Sequence, residues 1–233
     1  LEDGKTVAIV GALTDISERK SAEEVQAAAL KEKGALLREF QHRVKNSLAI
    51  ITGITELEAN HSADPAVRKA LAALGGRIHT LSELYTLLYN SEQTSQVSLD
   101  RYFELISEFE MGAHLAGGGR IVLKRRLAPL VTDAKRASTL GLILNELLTN
   151  ALKYAFPGGR SGIITVSLAD EGGDMVLEVE DDGVGLPAGF ELLSAQGLGL
   201  QLVMMLASQL GGSVTFRSGK GTVFTVRVKN LQT

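Results

Sequence analysis

The stretch Thr139-Leu-Gly-Leu-Ile-Leu-Asn-Glu-Leu-Leu-Thr-Asn-Ala-Leu-Lys-Tyr-Ala-Phe156 constrains the fold of this chain more than any other. Leu140, Ile143, Leu144, Leu147, Leu148, Ala151 and Leu152 recur at steps of three and four. That pattern is one face of an amphipathic helix, which must be covered by other elements. At roughly 100° per residue, Glu146, Asn150 and Lys153 fall within about 60° of one another, in a stripe centred well away from the middle of the apolar face. A carboxylate, an amide and an ammonium in one stripe suit contact with a magnesium-bound phosphate. An ordinary solvated face is the competing reading.

Composition narrows the possibilities. The chain has 233 residues, 45% hydrophobic and 22% charged, enough for one or two globular domains with a real core. A net charge of −3 gives no nucleic-acid face. Zero cysteines exclude disulfides, thiolate metal sites and cysteine nucleophiles. No apolar run approaches the ~18–20 residues that span a bilayer, so no membrane segment is expected and a cytoplasmic location is. The first residue is Leu1 and no signal peptide is visible, so the chain reads as a piece of a longer protein.

Taken in order, residues 5–13 have a strand's composition, and Thr14-Asp-Ile-Ser-Glu-Arg-Lys20 then turns abruptly to helix. This strand-to-helix junction resembles the exit of a PAS- or LOV-type sensor domain, which implies that residues 1–16 are the end of such a sensor. From about Ser17 to Asn60 the pattern is helical, with Leu37, Phe40, Val44, Ser47, Ile51 and Ile54 in three- and four-residue steps. Pro65 suits the first position of a second helix. Val67, Leu71, Leu74, Ile78, Leu81, Tyr85 and Leu88 give that helix a coiled-coil-like seam. Gly75-Gly76 inside it costs about 1–2 kcal/mol of helix propensity and marks a place to bend. Two such helices form an antiparallel hairpin, and pairing two hairpins into a four-helix bundle covers their apolar faces. The hairpin is placed at 17–92 and a second domain at 97–233, the boundary falling in the polar run 90–96. There, Ser98 is a candidate cap for a helix ending at Gly117-Gly-Gly119, followed by a strand from Arg120. The organising helix begins at Asp133. Strands at 162–169 and 174–181, a helix from about Leu198, and strands at 213–218 and 222–229 complete a largely antiparallel sheet with helices on one face. The fold class is α+β, a helical hairpin followed by an α/β sandwich.

Further residues carry chemistry. In the strand ending at Asp181, Met175, Leu177, Val179 and Asp181 share one face, so a carboxylate continues the apolar row and needs a partner or a function. A turn residue after an earlier strand end is the alternative. Gln196-Gly-Leu-Gly-Leu200 opens a helix, where glycines let backbone N–H groups approach an anion, although a Gly-x-Gly before a helix is more often an ordinary turn. Together these stretches resemble the GHKL ATP-binding fold. Asn145-Glu146 with Asn150-Ala-x-Lys153-Tyr154 is similar to its N-box, and Asp181-x-Gly183-x-Gly185 to its G1 box. Gly197-Leu198-Gly199 is similar to its G2 box, and Gly219-x-Gly221-Thr222 to its last glycine motif. The resemblance implies that Asp181 accepts a hydrogen bond from adenine. It also implies that Asn150, Lys153, Tyr154, Gly183, Gly185, Gly197, Leu198, Gly199 and Thr222 line the ATP site, with Glu146 and Asn150 at Mg2+.

His42 lies about 160–200° around its helix from both Phe40 and Val44, away from the seam, as a solvated histidine would. Yet Phe40-Gln-His-Arg-Val-Lys-Asn46 resembles the His-Arg-x-Lys-Asn phosphoacceptor box of the HWE-related sensor histidine kinases. That resemblance covers roughly residues 15–229. It implies MgATP-dependent autophosphorylation on His42 and transfer to an aspartate on a response-regulator receiver domain, by a homodimer formed through residues 17–92. The chain has no tryptophan and so stands beside the strict HWE group. Arg43, not an acidic residue, follows the acceptor, which leaves Glu39 or Glu146 as the base. The alternative is a GHKL-type ATPase that hydrolyses ATP through Glu146.

Overall fold

The computed structural model describes residues 17–90, 96–115, 121–192 and 198–230. The strand expected at 5–13, the glycines at 117–119 and Gly197 lie outside the described residues. The chain divides into two compact units between Arg43 and Val44. What is described of the first unit is helical, the beginning of α1 (Ser17–His61). There Arg43 donates to Glu39 one turn earlier, at 3.1 Å from Nε and 2.7 Å from Nη2.

In the second unit, α1 ends where Ser62 N donates to Glu58 O. Asp64 Oδ1 then accepts from Ala66 N at 2.8 Å, and α2 (Pro65–Asn90) starts on its proline. Gly75-Gly76 does not break this helix. A Cβ on Gly76 would stand 3.1 Å from Glu110 Oε1, so the pair serves close approach to the next layer rather than bending.

Two three-residue strands, β1 (Gln96–Ser98) and β3 (Val131–Asp133), pair antiparallel, and neither is long enough to show an alternating pattern in the sequence. Between them come α3 (Leu99–Leu115) and β2 (Ile121–Leu127). The organising helix is α4 (Ala134–Tyr154), capped by Asp133, whose Oδ1 accepts from Lys135 N and Arg136 N. It is followed by β4 (Gly162–Glu171), β5 (Asp174–Asp181), α5 (Leu198–Gln209), β6 (Ser213–Gly219) and β7 (Gly221–Lys229). The five-stranded sheet runs β2-β4-β5-β7-β6. Its pairs are antiparallel except β2–β4, which the α4 crossover makes parallel by returning the chain to the same end of the sheet. Gly172 and Gly173, both at positive φ, make the two-residue turn between β4 and β5.

Leu140, Leu144 and Leu148 of α4 share one core with Val166, Leu177 and Val226 of the sheet and with Tyr102 and Phe103 of α3. Tyr102 ties the layers together. Its ring fills the notch at Gly141, where a Cβ would lie 2.5 Å away, and its hydroxyl donates to Thr80 O on α2 at 2.7 Å. The seam of α2 is split between fates: Ile78 is buried, whereas Val67 and Leu74 are exposed, as are Ile50, Ile51, Ile54 and Leu57 of α1. The side chains of Tyr85 and Leu88 lie outside the described residues.

Candidate functional site

Asp181 sits where the alternation of β5 places it, on the buried row and 7% exposed. Its Oδ1 accepts from Gly183 N at 3.0 Å, and Thr222, its register partner on β7, bonds it from both backbone and side chain. Burial pushes its carboxyl above the usual carboxylate range, and the bonds from Gly183 and Thr222 oppose that shift. A hydrogen-bond donor arriving from a ligand would favour the ionised form further. The adjacent Asp182 acts structurally, since its Oδ1 accepts from Ile163 N at 2.7 Å and pins the loop to β4.

Glycines shape the wall of this corner. A Cβ on Gly221, which has φ +100°, would collide with the carbonyl of Asp181, and one on Gly183 with the carbonyl of Ala155. Gly185 packs against Gly219 and Ser218, whose hydroxyl accepts from Leu186 N at 2.8 Å. Val184 N donates to Ala155 O, so the end of α4 is stitched to the loop after β5. Asp181, Gly183, Gly185 and Thr222 therefore gather at one corner, beside the C-terminal end of α4.

A second group forms on α4 itself. Glu146 is buried, not solvated: Arg77 of α2 donates from Nε to its Oε1 at 2.6 Å, while Oε2 lies 2.6 Å from where a Cβ on Gly199 would be. Asn150 flanks the same glycine, and its Nδ2 is buried without a hydrogen-bond partner among the described residues. Lys153, Tyr154 and Leu198 are exposed. Lys69 of α2 donates to the Tyr154 hydroxyl at 2.6 Å, with its Nζ 5.0 Å from the ring centroid. Glu110 of α3 accepts from Thr149 at 3.1 Å. A cavity of about 450 Å³ opens where the end of α1 meets α2, α3 and α4, lined in part by Thr55, Gly76, Glu110, Asn145, Glu146 and Lys153; Asp181 is not part of its lining.

These residues fit a nucleotide with its divalent ion. They offer a buried acceptor at one end, an unsatisfied amide and a carboxylate at the other, and a glycine with room for close backbone approach. Among the described residues, no group of three His, Asp or Glu side chains forms a metal cage. Mg2+ needs no such cage, being held by one or two protein ligands together with phosphates. Glu39 belongs to the first unit, exposed and paired with Arg43. The side chain of His42, on α1, lies outside the described residues. Sequence reasoning misses Arg77, Lys69 and Glu110. Gly75-Gly76 is the local sign that another element packs closely there.

Residues 39–110 match the family described as histidine kinase, and residues 135–232 the family described as histidine kinase-, DNA gyrase B-, and HSP90-like ATPase. Sensor histidine kinase PdtaS of Mycobacterium tuberculosis is 32% identical over 230 residues, 97% of this chain and 44% of the relative. Blue-light-activated histidine kinase 2 of Erythrobacter litoralis is 27% identical, covering 97% of this chain and 65% of that one. The solved histidine kinase domain from the Erythrobacter litoralis blue-light activated histidine kinase superposes with a TM-score of 0.63 at 26% identity, covering 87% of this chain and 94% of that one. The chain thus spans less than half of the mycobacterial relative's length.

Proposed function

The chain belongs to the sensor histidine kinases, and on that basis we propose that it is the catalytic core of one, phosphorylating its own His42 from MgATP. The observation that carries this reading is the buried Asp181, held by Gly183 and Thr222, in a chain that also bears the acceptor box at 40–46. Residues 17–92 act as the dimerisation and phosphoacceptor hairpin and residues 97–233 as the ATP-binding domain. Residues 1–16 are the end of a PAS- or LOV-type sensor.

Asp181 accepts a hydrogen bond from the adenine amino group, and Gly183, Gly185 and Thr222 shape the pocket around it. Tyr154 and Lys153 contact the nucleotide from α4, and the backbone at Gly197, Leu198 and Gly199 meets the phosphates. Glu146 and Asn150 would hold Mg2+, which when bound would neutralise charge on the transferring group. A neutral ring nitrogen of His42 attacks the γ-phosphorus in line; an N–P bond forms as the bond to the ADP oxygen breaks. Glu39 or Glu146 takes the ring proton. The phosphoryl group then passes to an aspartate of a response-regulator receiver domain. The exposed Ile50, Ile54, Leu57 and Val67 support a homodimer through the hairpin. Among the described residues no helix is long and apolar enough to cross a membrane, and we place the reaction in the cytoplasm, where ATP is supplied.

The test is incubation with magnesium and γ-labelled ATP. The parent should acquire acid-labile, alkali-stable label and His42→Gln should acquire none. Equal ATP hydrolysis by both, with no protein label, would instead favour an ATPase working through Glu146.

A further inference from the structure

Helix α2 carries a seam pattern, yet three of its residues meet α4 along the face that bears the candidate nucleotide contacts. Lys69 bonds the hydroxyl of Tyr154. Gly76 lets the backbone close on Asn145 and Glu110. Arg77 grips Glu146, and this pair is largely removed from water, with Arg77 23% exposed and Glu146 7%. The two oxygens of Glu146 are thereby divided, Oε1 to the guanidinium and Oε2 toward Gly199. A guanidinium and a divalent cation compete for the lone pairs of one carboxylate and repel each other across it.

We propose that Arg77 is a built-in counter-ion for Glu146, so that α2 docked on α4 holds the site in a state that binds metal–nucleotide weakly. Magnesium with nucleotide displaces the guanidinium, and α2 loosens from α4. Any input that shifts α2 then sets metal–nucleotide affinity, because only the undocked fraction is competent to take magnesium with the nucleotide. The proposal rests on the reading of Glu146 as a magnesium contact.

Binding of AMP-PNP to the whole chain, measured by calorimetry with magnesium and again in EDTA, tests it. Arg77→Gln should bind the magnesium complex about tenfold more tightly than the parent, and the metal-free nucleotide within about twofold of it. Arg77→Lys, which restores a charge, should move back toward the parent. Gly76→Leu, which wedges α2 away without altering charge, should tighten binding in the same sense. Hydrogen exchange adds a readout independent of activity: amides of residues 69–80 should lose protection when the parent binds magnesium–nucleotide, and be less protected in Arg77→Gln without it. Unchanged or weaker magnesium–nucleotide binding in a folded Arg77→Gln and in Gly76→Leu would overturn the proposal. Glu146→Gln separates the metal contact from its counter-ion. If it binds the magnesium complex as the parent does, the role of Glu146 fails. If it loses binding while Arg77→Gln is unaltered, the counter-ion alone fails.

Discussion

In the sheet half of the molecule, apolar rows find cover within the chain: Leu140, Leu144 and Leu148 of α4 are buried in one core with residues of α3, β4, β5 and β7. Along the hairpin from Val44 to Asn90 the same residue types are left open, with Ile50, Ile54 and Leu57 on α1 and Val67 and Leu74 on α2 exposed. The first region is closed by its own folding; the second has a surface that a further partner would cover. A substitution therefore probes stability in the first region and, on the homodimer proposed above, association in the second, and identical chemical changes should have different consequences in each.

Leu148→Ala should cost the most. The side chain is fully buried, at 0% exposure, between helix and sheet, and its loss leaves a cavity in a core with little room to relax. About 3–5 kcal/mol of unfolding free energy is expected to go, read by denaturant titration at constant m-value. Ile54→Glu should behave oppositely. At 53% exposure it should leave monomer unfolding within about 0.5 kcal/mol. If the open face seats a second copy, that carboxylate costs about 1–3 kcal/mol there and weakens dimerisation by roughly 5- to 150-fold in sedimentation velocity. A parent that is monomeric at all concentrations would break the comparison, because the hairpin would then be open without a second copy to cover it.

The same contrast explains what is legible in the sequence. Local periodicity suffices for α4, for the cap at Asp133, and for Asp181 on the buried row of β5, because each depends on residues within a turn or a pleat. The pairing of β2 with β4 cannot be read, since a parallel register is fixed by a crossover rather than by neighbours. Periodicity puts Glu146 on an open stripe because nothing in 139–156 announces α2. Its cover comes from Arg77, 69 positions earlier. Propensity alone makes Gly75-Gly76 a site of bending. In the fold, the missing Cβ atoms matter for what lies across from them, Thr55 on one side and Glu110 with Asn145 on the other. Local rules reach the sheet half well and reach the junction with the hairpin poorly.

That junction offers the smallest of these tests and the one that bears on both regions. Glu110 lies at the seam where Gly76 of α2 meets α3 and α4, and burial raises its carboxyl above the ordinary value of 4.5, with the Thr149 bond and Lys153 opposing the shift and Glu146 adding to it. A folded-state value above the unfolded one means that the folded chain binds this proton more tightly. The resulting stabilisation is complete below the unfolded value and is lost as pH rises through the raised one. Glu110→Gln keeps an acceptor for Thr149 but has no proton to lose. Its stability relative to the parent should therefore climb as pH rises from about 4.5 and level off once the parent's Glu110 is ionised, shown by thermal melts at several pH values. A difference between parent and variant that stays flat across that range would mean that α2 does not keep Glu110 dry in solution. The seam would then be open, and the two regions would meet more loosely than Gly76 and Arg77 imply.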